Sequence, residues 1–341
     1  MIDAIACESH FLDHLAPVWL ALPPEVRGRF IVDAKLLDRA AMRGIEAEPL
    51  DADLIRRTPQ KPPRFDGTPA LVASIGDTKV GRRLGYGPFV RLEHGAGQGY
   101  IGERSGSYAG GPGNSDAALI LVPNTYSADL WRNAYPGARV EIVGSPRLDG
   151  LPARDASGTP PVLALAFHWP GQGYAGTAFG DFRNVLPALA DRYTVIGHQH
   201  PNWLGRKYPG PPSRYYAQLG IEYVPEFEDI CRRADLYIAD NTSTSFEFAA
   251  TGRPVLLLNA RWWSRKFGHG GRFWDWAHVG VNVDRPEDLL SGVERALIDG
   301  PNEQTDRADA LSLVYGVRSG GATLAADAIV DWLGSRQEVA A

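Results

Sequence analysis

The chain has only two cysteines in 341 residues, Cys7 and Cys231, far apart and outside any metal-ligand spacing. That excludes a disulfide framework and a cysteine-ligated zinc site as expectations. No apolar run approaches the roughly 20 residues that cross a bilayer. The opening MIDAIACESHFLDHLAP carries acids where a secretory leader carries bases. The expected location is therefore the cytoplasm, with any membrane contact peripheral. Basic charge is short as well, since 35 Lys and Arg against 40 Asp and Glu leave a net charge of −5. Without a global basic field, nucleic acid is not the favoured partner.

What is present is ordinary globular composition, 44% hydrophobic and 22% charged. A chain of this length exceeds what one hydrophobic core usually serves, so two domains are expected. Short apolar runs alternate with helix-like stretches. Predicted strands fall at 3–7, 29–32, 70–75, 88–92, 117–122 and 140–143, with helices at 10–22, 34–43 and 127–135. A segment rich in Pro, Gly and small polar residues, LDGLPARDASGTPP, then reads as a linker. The alternation restarts with strands at 162–167, 193–197, 221–224, 236–239, 254–259 and 279–283. Helices fit at 181–189, 227–233, 245–251 and 286–298, and two more at about 302–314 and 322–333 close the chain. Near-continuous apolar strands separated by helices predict parallel sheets covered on both faces. The expected architecture is α/β: two Rossmann-like, doubly wound domains, 1–150 and 151–341, with an interdomain cleft. The last helix is free to return to the first domain.

Ligands of open α/β sheets sit beyond the carboxyl ends of the strands, so the residues after each predicted strand carry the functional expectations. In DLYIADNTSTSFEFAATGRPVLLLNA, a strand ends at Asp240 and Thr242, Ser243, Thr244 and Ser245 open a helix. Free N–H groups and hydroxyls there suit phosphate, and Glu247 one turn on suits the hydroxyls of a ribose. The alternative is plain capping, since Ser, Thr and Asp begin helices everywhere. In PFVRLEHGAGQGYIGERSGSYAGGPGN, a strand delivers Glu93 and His94 to a glycine-rich loop. An imidazole at that place suits a general base, or else is a packed core residue. VIGHQHPNW puts His198 and His200 on one face, but no carboxylate or cysteine completes a metal pair. His200 is thus expected to act in catalysis, stabilising phosphate or the transition state. GSPRLDG places Arg147 at a strand end, and ARWWSRKFGHGGRFWDW offers Arg272 among aromatics, as a phosphate clamp or a packed loop.

In this order, these blocks resemble the CDP-glycerol glycerophosphotransferases, the teichoic-acid primases and polymerases. The likeness rests on His94-Gly95, on Gly144 to Asp149 as G-x-P-R-x-D, and on His200-Pro201. It continues through Asp240 to Ser243, Phe246-Glu247, Gly252 to Val255 and Gly271 to Phe273. The resemblance implies a GT-B fold with His94 as base. It further implies phosphate binding by His200, Thr242 and Ser243, and ribose binding by Glu247. Asn241 stands where the family has Tyr, and FHWPGQGY replaces a Pro-Thr-x-Arg type of segment, so a nucleotide sugar competes with CDP-glycerol as donor.

The expected reaction moves a glycerol-phosphate or glycosyl group from a nucleotide-activated donor to a polyol or glycan hydroxyl. His94 would act as base, and His200, Asp240, Thr242, Ser243, Thr244, Glu247, Arg147 and Arg272 would serve the donor. No resident cofactor and no metal are expected, because no DxD-like carboxylate motif lies in a cleft loop. The alternatives are a glycosyltransferase on a soluble, lipid-linked or nucleic-acid acceptor, and an epimerase or nucleotide-sugar binder of the same fold. An epimerase needs a further carboxylate, for which Glu93 and Asp116 are the candidates.

Overall fold

The computed structural model describes residues 1–50, 67–96, 108, 110–155, 160–170, 177–204, 211–240, 242–260 and 278–340. They fall into two compact units, 1–150 with 315–340, and 151–314.

The first unit is built on a parallel sheet. Its strands are β1 (Ile2–Ala6), β2 (Arg27–Val32), β3 (Glu48–Pro49), β4 (Ala70–Val72), β5 (Phe89–Leu92), β6 (Ala117–Val122) and β7 (Arg139–Ile142). The spatial order is β3-β2-β1-β4-β5-β6-β7. Every residue of β1 is buried, as a central strand covered on both sides requires. Alternation sorts its side chains between two cores: Ile2, Ala4 and Ala6 face one layer, while Ile5 joins Val72 and Phe89 in the other.

Helix α1 (Ser9–Ala21) packs on the first of these faces and buries Phe11, Leu12, Leu15, Val18 and Trp19. Helix α2 (Leu37–Met42) follows β2, α3 (Ile75–Arg83) follows β4, and α4 (Thr125–Ala134) follows β6. The segment predicted as a strand through residue 75 turns into a helix earlier. Ser74 leaves the strand and accepts a hydrogen bond from the Asp77 N–H at 2.9 Å, which starts α3 at Ile75.

The second unit repeats the plan with β8 (Val162–Phe167), β9 (Thr194–Gln199), β10 (Glu222–Tyr223), β11 (Leu236–Ala239), β12 (Val255–Leu258) and β13 (Val281–Val283). Their order is β10-β9-β8-β11-β12-β13, and all neighbours are parallel. Its helices are α5 (Phe179–Phe182), α6 (Leu186–Arg192), α7 (Pro212–Gln218), α8 (Phe227–Arg233), α9 (Thr244–Ala249), α10 (Leu289–Ile298) and α11 (Pro301–Val314). Gly197 on β9 is obligatory for packing, because a Cβ there would lie 2.4 Å from the Tyr216 ring of α7.

The chain then returns to the first unit as α12 (Gly321–Ala340), whose Ala325, Ala326, Ile329 and Trp332 enter the same core as α1. Asp149 fixes the start of that helix, accepting from Gly320 N and Ala322 N at 2.7 Å each. Gly144, with φ +73°, lets the returning chain pass, since a Cβ there would meet the Val317 carbonyl at 2.1 Å.

Candidate functional site

Each sheet has one point where the strand order reverses, β1 beside β4 and β8 beside β11. Connections leave such a pair in opposite directions, which opens a crevice at the carboxyl ends where ligands of this architecture bind. In the second unit that crevice is lined by the exits of β8, β9 and β11. His168 follows β8 and is held at three atoms: its N–H donates to Asp240 Oδ1 at 2.7 Å, its carbonyl accepts from Trp203 Nε1 at 3.0 Å, and its ring Nδ1 lies 2.9 Å from the Trp169 carbonyl. With the Nδ1–H donated to that carbonyl, the lone pair of the neutral ring is on Nε2. His200, after β9, meets it edge-on at a centroid distance of 4.9 Å, and Trp169 lies 6.0 Å from His200.

Asp240, after β11, is 3% exposed. Besides His168, it accepts from Thr177 Oγ1 at 2.7 Å and Ala178 N at 2.8 Å. Burial pushes its carboxyl up to about 7, against the pull of these donors. Thr242 follows, its Oγ1 2.8 Å from Thr244 Oγ1, which is itself 2.8 Å from the Tyr237 hydroxyl. Ser243 stands at the N-cap of α9 without a side-chain cap bond, while Thr242 Oγ1 accepts from Thr244 N at 3.4 Å. Three hydroxyls, of Thr242, Thr244 and Tyr237, thus sit in a local chain while Ser243 is half-buried at the helix start. Glu247 is fully buried one turn further on.

The first unit gathers a different set at its strand ends. His94 follows β5, and its Nδ1 lies 2.8 Å from the Ala73 carbonyl at the exit of β4, which fixes the Nδ1–H tautomer and leaves the lone pair on Nε2. Phe11 packs edge-on to it at 4.6 Å, with His10 at 5.8 Å and His14 at 6.0 Å, all three on α1. Burial, and then His10, His14 and Arg91, push the His94 imidazole well below its ordinary value, so it is neutral at pH 7. His10 is pushed down to about 4 by burial. Arg147, 8% exposed in the turn after β7, raises the cost of protonating His10 and His14.

Two buried carboxyls accompany this cluster. Glu93 accepts from Trp131 Nε1 at 2.7 Å, from Ser127 Oγ at 3.1 Å and from the Tyr108 hydroxyl. Asp77, at the start of α3, accepts from Cys7 N at 3.0 Å through Oδ1, while Oδ2 has no hydrogen-bond partner. Burial raises both carboxyls above the usual range. Among the described residues no group of three or more His, Cys, Asp or Glu could hold a metal ion.

His94 and Arg147 therefore belong to the first unit, and His200, Asp240, Thr242, Ser243, Thr244 and Glu247 to the second. Arg272 and the glycine-rich loop after residue 96 lie outside the described residues, apart from Tyr108. Asp116 has both oxygens engaged by Arg82, one of them by Nε at 2.6 Å. Sequence reasoning passed over His168, His10, His14 and Asp77. The strand-end rule finds His168 directly from the strand predicted at 162–167, and Asp77 once β4 ends at Val72; the i, i+4 spacing of His10 and His14 on a helix was the signal for the other pair.

Two parallel, doubly wound units with reversal points of this kind define the Rossmann-like GT-B fold. Three solved structures share it across nearly the whole chain. The MnaA–UDP co-structure from S. aureus is 14% identical, covering 99% of this chain and 96% of that one at a TM-score of 0.64. A wall teichoic acid polymerase TagF variant soaked with CDPG is 13% identical, covering 99% and 90% at 0.63. A putative UDP-N-acetylglucosamine 2-epimerase from Listeria monocytogenes is 15% identical, covering 99% and 96% at 0.61. No protein-family model matches the chain, and no curated protein sequence does. No helix among the described residues is long and apolar enough to cross a membrane.

Proposed function

We propose that the chain is an enzyme acting on a nucleotide-activated donor, held by the second unit at the crevice between β8 and β11. The observation that carries this reading is the convergence of His168, His200, Thr242 and Ser243 on the strand ends of one reversal point. The hydroxyls of Thr242 and Ser243 supply donors for a diphosphate without a metal, the His168 and His200 rings border the same strand ends, and a half-buried Trp169 beside them offers an aromatic face. Similar folds were solved with UDP and with CDPG. Thermal melting of the full chain with UDP, CDP, GDP and ADP tests the binding step, because a ligand of the native state raises the melting point. We expect a pyrimidine diphosphate to raise it; no rise with any of the four at millimolar concentration overturns the reading.

The chemistry we favour is transfer of a glycosyl or glycerol-phosphate group to an acceptor hydroxyl, without a resident cofactor. His94 serves as base: it is neutral at pH 7, its tautomer is fixed, and its Nε2 takes the hydroxyl proton as the acceptor oxygen bonds to the transferred group and the bond to the departing nucleotide breaks. A second reading, epimerisation of a nucleotide sugar, is favoured by Asp77 and Glu93. Inverting a carbon requires a proton to leave one face and return to the other, and two buried carboxyls with raised pKa values are suited to exchange it. Incubation with UDP-N-acetylglucosamine in D₂O without acceptor separates the two. Deuterium at a sugar carbon with the diphosphate bond intact supports epimerisation, whereas transfer leaves the recovered donor unlabelled.

A further inference from the structure

Asp240 binds both ends of one connection. Its Oδ1 holds the N–H of His168, the first residue after β8, and its Oδ2 holds Thr177 and Ala178, where α5 begins. The carboxylate is 3% exposed and already accepts these hydrogen bonds. It is therefore occupied by the protein's own backbone and a hydroxyl, in the crevice where an unengaged carboxylate would otherwise repel a diphosphate.

We propose that Asp240 is a positioning residue that sets the exit of β8, and with it the His168 ring, for a diphosphate, without touching the ligand itself. The inference deepens the nucleotide reading and rests on it for the identity of the ligand. Thr177 stiffens the same clamp, since its Oγ1 also accepts from Phe179 N at 3.1 Å. The titratable groups around the carboxyl are the phenols of Tyr216 on α7 and Tyr237 on β11, both raised by burial and neutral near pH 7, and the imidazoles of His168 and His200.

The signs of these groups differ. Protonating Asp240 removes acceptor capacity and loosens the clamp, so affinity falls as pH drops through about 7. Protonating His168 or His200 would instead strengthen diphosphate binding as pH drops. The test measures affinity for UDP-N-acetylglucosamine and CDP-glycerol by calorimetry from pH 5.5 to 8.5. As diphosphate diesters, neither ligand titrates there. Amide exchange of the 160–182 region is followed in parallel on the ligand-free protein.

Asp240→Asn should exchange faster at His168 and Ala178, bind about tenfold more weakly at pH 8 and lose the decline of affinity toward low pH. Thr177→Val, which keeps the carboxylate, should fall between and keep the pH dependence. Unchanged exchange in Asp240→Asn, or a wild-type affinity that rises toward low pH, overturns the proposal. If the wild type binds neither ligand, the nucleotide reading fails; the positioning role for a diphosphate falls with it, even where faster exchange still shows the clamp.

Discussion

Histidines in this chain change meaning with their surroundings. An unperturbed imidazole titrates at about pH 6.5, and His94 follows β5. Packed against Phe11, His10 and His14, it is held well below that value. We therefore expect the acid limb of the pH–rate profile to lie well under pH 6.5, and His94→Ala to cost about 10²–10⁴ in turnover with donor affinity retained. Steady-state kinetics beside calorimetry checks this, and near-normal turnover would move the base elsewhere. The same three histidines bear on stability. Their folded-state pKa values lie below the unfolded value, so the unfolded chain binds more protons between the two. Stability should be fully present above about pH 6.5 and fall as pH drops toward the folded values, with His10 setting a limit near 4. Urea midpoints from pH 7.5 to 5 should decline, and less steeply in His14→Gln.

At the scale of elements, helix starts decide much of the site. Ser74 begins α3 and so presents Asp77 at the reversal point, and Asp149 begins α12. Removing the double cap in Asp149→Ala should destabilise the first unit by about 1–2 kcal/mol, read from chemical denaturation. Asn, which keeps one acceptor, should cost less. Gly144 is stricter: Gly144→Ala meets both a positive φ and the Val317 carbonyl, and should destabilise by more than the cap loss. An unchanged midpoint in that variant would show that the returning segment can move aside. These positions were visible as motif letters in GSPRLDG, but their reason was not. The glycine and the aspartate serve the closing helix some 170 residues later, a contact that no local pattern encodes.

The whole chain is interleaved. Its first unit is completed by its last residues, because Ala325, Ala326, Ile329 and Trp332 fill the core beside Leu12, Leu15 and Trp19. Deleting residues 315–341 should expose that apolar face and abolish cooperative unfolding of the first unit, while α5, α6, α7 and α10 of the second unit keep their core. Calorimetry of the truncated protein should lose one transition, and retention of both would show that α12 is dispensable.

Periodicity alone determined the parallel α/β plan, nearly every strand and the strand ends on which to look for chemistry. That was legible because buried parallel strands are continuous apolar runs, and their signal is local. The short strand β3 and the helices α3 and α7 escaped, since few residues and a cap in the wrong register leave little period to detect. Which side chains meet at the strand ends was decided by tertiary structure. Asp240 was read as a donor ligand, and folding instead turns its carboxylate onto His168, Thr177 and Ala178. The His10, His14 and His94 grouping likewise joins a helix to a strand about 80 residues away in sequence. Strand order supplies the physical reason: residues adjacent at the carboxyl edge come from strands separated by whole helices, so their meeting depends on how the sheet is wound and not on any spacing in the chain.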